Sequence, residues 1–141
     1  MITIAFDADD TLWDNEIYFR ESERKFCKLI NEFSPKWTER EIMPILFETE
    51  VGNLSIYGFG VKSFVLSAIE AAGKLLKDDV PYSIVKSVVE IGREQLMKPV
   101  TLLTDVEAVL AKLKAEGKYR LVLATKGDLL DQESKIERSG L

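Results

Sequence analysis

The sequence predicts an α/β fold: a parallel core interrupted, after its first strand, by an all-helical insertion. Three observations carry this. "ITIAF" at residues 2–6 is short, apolar and β-branched, as a parallel strand buried on both faces would be. "YRLVLA" at residues 119–124 has the same character, with a helical pattern on either side of it. Between the two lies a long stretch, residues 15–98, with helical periodicity and no good strand. A strand–helix–strand unit with a parallel pair implies an α/β core. The expected division is therefore a core of 1–14 and 99–141, with a helical domain of 15–98.

The elements follow in order. After the first strand, Asp7, Asp9, Asp10 and Asp14 crowd into "DADDTLWD". Glu16 to Phe33 places Phe19, Phe26, Leu29, Ile30 and Phe33 near helical spacing, and Ser34-Pro35 ends that helix. Asp14 is the expected cap of its first turn. Thr38 and Glu41 form a capping box that starts a second helix carrying Ile42, Ile45 and Leu46. "VGNLSIYGFG" reads as a glycine-punctuated loop. Val61 to Ala72 reads as a third helix, stopped by Gly73. Pro81 suits the first turn of a fourth, which runs to about Met97. A second capping box, Thr104 with Glu107, opens a helix striped by Val106, Val109, Leu110 and Leu113 and stopped by Gly117. After the second strand, "KGDLLDQESKIERSG" is a last helix with Gly140 as its C-cap.

Composition narrows the function. A net charge of -5 argues against nucleic acid or anionic membrane as partner. No apolar run approaches the length of a membrane helix, and "MITIAF" is too short for a signal sequence. The single cysteine, Cys27, allows no internal disulfide and fits a reducing, cytoplasmic setting. It lies beside the apolar face of the first helix, where packing is the expected role. No histidine occurs, which excludes Ser-His-Asp triads, Cys-His pairs and histidine metal sites.

Ligands of open α/β sheets bind beyond the carboxyl ends of the strands. The first strand ends in Asp7-Ala8-Asp9-Asp10-Thr11 and the second in Thr125-Lys126-Gly127. In parallel neighbours both clusters share one edge. Crowded carboxylates repel, so this is either a solvated turn or a place for something positive. Carboxylates, Mg²⁺ and a phosphate would satisfy every group there. Thr125 is also open to the plainer reading of a strand-end hydroxyl, and Lys126 to that of a solvated lysine at the mouth.

"FDADDTLWD" resembles the first motif of the haloacid dehalogenase-like (HAD) superfamily, a strand followed by Asp-x-Asp-x-Thr. "VLATKGD" resembles the second, and the helical insertion resembles that family's cap. The resemblance implies a partial HAD-like Rossmannoid core and a Mg²⁺-dependent hydrolase of a small phosphorylated metabolite. Asp7 would be the nucleophile that forms an aspartyl-phosphate, and Asp9 the general acid and base. Asp7 and the backbone carbonyl of Asp9 would bind Mg²⁺. Thr125 and the amide of Lys126 would hold a phosphoryl oxygen. An aspartate at position 9 matches the phosphatases and phosphomutases of the family rather than its carbon–halogen hydrolases. A phosphomutase and a non-catalytic binding or regulatory fragment are the alternatives.

The family's third-motif cation and fourth-motif acids have no counterpart here. Lys135 falls too early, inside the last helix, to be assigned the third-motif role. The expectation is a truncated form, impaired alone, that self-associates through its exposed core edge.

Overall fold

The computed structural model describes residues 1–141. The elements run β1 (Ile2–Phe6), α1 (Glu16–Phe33), α2 (Glu39–Tyr57), α3 (Val61–Leu76), α4 (Tyr82–Leu96), α5 (Val106–Ala115), β2 (Tyr119–Leu123) and α6 (Leu129–Ser139). The chain forms two compact units, Met1–Ile17 with Pro99–Leu141, and Tyr18–Lys98.

The first unit is α/β. Its sheet has two strands, β1 and β2, paired parallel with Ile2 opposite Tyr119 and Phe6 opposite Leu123. The expectation that these strands are buried on both faces does not hold. None of their residues is buried, and Ile2 is 63% exposed. The reason is that a two-stranded sheet leaves open edges and incompletely covered faces. α5 has no buried residue, and on α6 Leu129 and Leu130 are exposed. The small core sits instead under the aspartate turn. Ala8, Leu12 and Trp13 are buried there against Phe6, Val100, Leu102, Val106, Leu110 and Leu123.

The second unit is helical. Phe26, Cys27 and Ile30 of α1 meet Ile42 and Leu46 of α2, Phe64, Ala68, Ala71, Ala72 and Leu75 of α3, and Ile84, Val88 and Ile91 of α4. Small residues on α3 leave room for a close approach of its neighbours. A buried hydrogen bond from Ser22 Oγ to Gln95 Oε1 (2.7 Å) ties α1 to α4. Trp37 donates its indole N–H to the Leu75 carbonyl at 3.0 Å.

Several local expectations change. α2 continues through Val51, Gly52 and Asn53 to Tyr57, so the break is confined to residues 58–60. Leu54 accepts from Gly58 N–H and closes the helix only there. α3 runs past Gly73 to Leu76, and Lys77 in the left-handed conformation ends it. The Thr38–Glu41 cap is present: the Glu41 carboxylate accepts from the Thr38 amide (3.0 Å) and hydroxyl (2.7 Å). The second box is not. Asp105, at φ 66°, is the N-cap residue of α5, one position later than Thr104.

Candidate active site

β1 delivers Asp7 to its carboxyl end, where the side chain is exposed. The chain then turns sharply. Thr11 and Leu12 amides both donate to the Ala8 carbonyl, and Asp10 takes a positive φ of 58°. The turn is pinned to the strand-like segment before α5: Asp14 N–H donates to Thr101 O (3.0 Å), and Leu103 N–H to Leu12 O (2.9 Å). Buried Trp13 and Leu12 make this possible, since they give an otherwise acidic turn an apolar underside. Asp10 is the residue that caps α1. Its carboxylate accepts from the Asn15 amide (2.9 Å) and the Glu16 amide (3.0 Å), in place of the expected Asp14.

The parallel register brings the second cluster alongside. Ala124 N–H donates to Phe6 O at 2.8 Å, so Asp7 and Thr125 leave adjacent strands at the same edge. Thr125 is half-buried and Lys126 exposed. Thr125 Oγ1 lies 3.4 Å from the carbonyl of Lys126. Gly127 has φ 127°, a conformation that disfavours a side chain, and a Cβ there would come within 3.1 Å of Gln132 Nε2. Asp128 caps α6 by accepting from the Asp131 amide at 3.1 Å.

Asp9 is held quite differently from Asp7. Its Oδ1 accepts from Trp13 Nε1 (2.8 Å) and Lys135 Nζ (3.0 Å), and its Oδ2 from Gln132 Nε2 (2.9 Å). Both oxygens act as acceptors, the pattern of an ionised carboxylate. Gln132 Nε2 also donates to the Lys126 carbonyl (3.1 Å), and Lys135 Nζ to Asn15 Oδ1 (3.0 Å). Asp131 Oδ2 lies 3.5 Å from the same ammonium. Charge-assisted hydrogen bonds in such a half-buried place contribute about 1.5–3 kcal/mol each.

Trp13, Gln132 and Lys135 were not singled out from sequence as site residues. The signals were present: Trp13 stands four residues after Asp9, and Gln132 and Lys135 stand three apart on the helix that follows the second cluster. For metal, the chain's own donors at this edge are the Asp7 carboxylate and backbone carbonyls. No group of three or more acidic, histidine or cysteine side chains is arranged to hold a metal ion.

Comparison with known proteins places the chain in a family. The description of haloacid dehalogenase-like hydrolases matches residues 1–141. A haloacid dehalogenase-like family hydrolase from Xanthomonas campestris shares 38% identity and superimposes with a TM-score of 0.86. All of the present chain is covered, against 57% of that one, so the chain spans little more than half its length. A HAD-hydrolase from Bacillus subtilis, in a magnesium-bound structure, shares the fold at a TM-score of 0.51 with 18% identity. That match covers 99% of this chain and 60% of the other. No curated protein matches significantly. With a family match over its whole length and a 38% identical relative covering all of it, the chain belongs to the haloacid dehalogenase-like hydrolase family.

Proposed function

We propose that the protein is a phosphatase acting on a small phosphorylated metabolite, with Asp7 as nucleophile. The observation that carries this is the parallel register of β1 and β2, which sets an exposed carboxylate beside a hydroxyl and a helix N-terminus on one sheet edge. A carboxylate oxygen of Asp7 attacks phosphorus, and the ester oxygen leaves with a proton from Asp9. Water then attacks the aspartyl-phosphate and gives a proton to Asp9, the bond from phosphorus to Asp7 breaks, and inorganic phosphate leaves with the Asp7 carboxylate restored. The accepting pattern of both Asp9 oxygens suits the second half of that cycle. Thr125 and the Lys126 amide bind a phosphoryl oxygen at the start of α6. A cytoplasmic setting belongs to the same proposal, supported by the single buried, free Cys27. No helix is long and apolar enough to cross a membrane.

Mg²⁺ is the metal this chemistry calls for, to screen Asp7 from the phosphate it attacks. Asp7 and the Asp9 carbonyl would be its ligands. Magnesium takes six oxygens and keeps several as water, and these two fall short of a complete protein shell.

Release of phosphate from p-nitrophenyl phosphate in Mg²⁺ is the test. The expected outcome is slow turnover that Asp7→Asn abolishes. Turnover unaffected by Asp7→Asn would remove Asp7 from the mechanism. Retention of phosphate between substrate and product would favour a phosphomutase.

A further inference from the structure

The three donors on Asp9 come from two places, and their origin separates two roles. Trp13 belongs to the same turn and is buried in the core beneath it. Gln132 and Lys135 reach in from α6, 123 and 126 residues away in sequence. Both α6 side chains are well covered: Gln132 is 6% exposed and the Lys135 side chain 13%. A lysine so placed gives up much of its hydration and rotamer freedom.

Gln132 is odd as a purely structural residue. Its amide orientation is fixed, because both partners of Nε2 are oxygens, Asp9 Oδ2 and the Lys126 carbonyl. That leaves Gln132 Oε1 buried with no hydrogen-bond partner. A buried acceptor without a donor costs stability, and an apolar side chain would avoid the cost. What the glutamine gains in return is a fixed N–H aimed at Asp9 and at the loop that carries Lys126.

We propose that Gln132 and Lys135 are positioning residues, a donor pair one helical turn apart on α6 that fixes the direction of the Asp9 carboxylate. The pair rests on the reading of Asp9 as the acid and base of a phosphatase. Lys135 and Trp13 take Oδ1, and Gln132 takes Oδ2, so rotation of the carboxylate about its own axis breaks one bond or the other. Through the Lys126 carbonyl, Gln132 also joins the carboxylate cluster to the phosphate-binding loop. Gly127 is part of the same device, since a side chain there would press on the Gln132 amide.

Trp13 provides a readout apart from activity. The chain has two tryptophans, and only Trp13 donates its indole N–H to Asp9; Trp37 donates to Leu75 O in the helical unit. The indole ¹⁵N–¹H resonances of the full chain are compared for wild type, Lys135→Met and Lys135→Arg, beside p-nitrophenyl phosphate turnover in Mg²⁺. Lys135→Met should shift the Trp13 resonance and leave that of Trp37 in place. It should lower kcat about tenfold, as loss of a supporting contact does, with KM changed by less than about twofold. Lys135→Arg, which keeps the charge and donors, should recover part of both. A Trp13 resonance unmoved by Lys135→Met would overturn the proposal, as would a shifted resonance with unchanged kcat. If Lys135→Met unfolds the α/β unit, Gln132→Met makes the same test at Oδ2, with the same two outcomes. A wild-type chain that releases no phosphate would sink the phosphatase reading instead, and the indole shift would still decide whether the pair holds Asp9.

Discussion

Cys27 shows how a side chain's surroundings set its chemistry. It is buried among the apolar residues of the helical unit. Burial, with Glu39 and Glu23 nearby, pushes its thiol up to about 11 from an ordinary 9.0. The folded thiol therefore keeps its proton where the unfolded one has lost it. The native state binds more protons between those two values, so stability falls as pH rises through that window. Below pH 9 the contribution is fully present. The expected outcome is slow labelling by a thiol reagent at pH 8 and fast labelling once denaturant is added. Equal rates would show that the sulfur is accessible in the native fold. The site residues divide in a similar way by what their environment requires. Asp7, Asp9 and Thr11 lie within five positions of one another, and a short local pattern displays them. Lys135 was legible as a helical residue but not as a partner of Asp9. Its contact depends on which strands pair and how α6 leaves the second one, and no local pattern records that.

At the scale of elements, helices with continuous apolar stripes were legible and their ends were not. α1 matches its expected span because Ser34-Pro35 stops it. α2 and α3 overran Gly52 and Gly73, since an isolated glycine costs a helix only about 1 kcal/mol, less than tertiary packing returns. Glycine has a stricter meaning in α4. A Cβ on Gly92 would collide with the side chain of Val65 on α3, so the two helices approach through that gap. Gly92→Ala should destabilise the protein by about 1–3 kcal/mol through overpacking, read as a lower midpoint in urea. Val65→Ala in the same chain should restore part of the loss. An additive double variant would show that the two positions do not meet. The strands were legible as strands and as a parallel pair. Their burial was not, because the apolar runs encode covered faces that two strands and two loosely packed helices do not provide.

For the whole molecule, the same open sheet has a consequence for association. We propose self-association through the open edge of β1, in a sheet of two strands with Met1 and Ile2 exposed. Light scattering at rising concentration should show a growing apparent mass, and a clean monomer throughout would count against it. The pairing of β1 with β2 bears also on how the site comes to exist. Ile2 lies opposite Tyr119, so nearly the entire chain must be gathered before the first ladder bond forms. Contacts of that range carry the heaviest loop-closure penalty, whereas α2, α3 and α4 pack mainly against sequence neighbours. The helical unit should therefore order first and shorten the loop that the strands have to close. Substitutions such as Val122→Ala should speed unfolding and leave refolding nearly unchanged, the kinetic mark of a late contact; an equal slowing of refolding would place the strands in the folding nucleus. On this account Asp7 and Thr125 meet only at the final step of folding, and a nascent or partly unfolded chain carries the carboxylates without the Thr125 loop beside them.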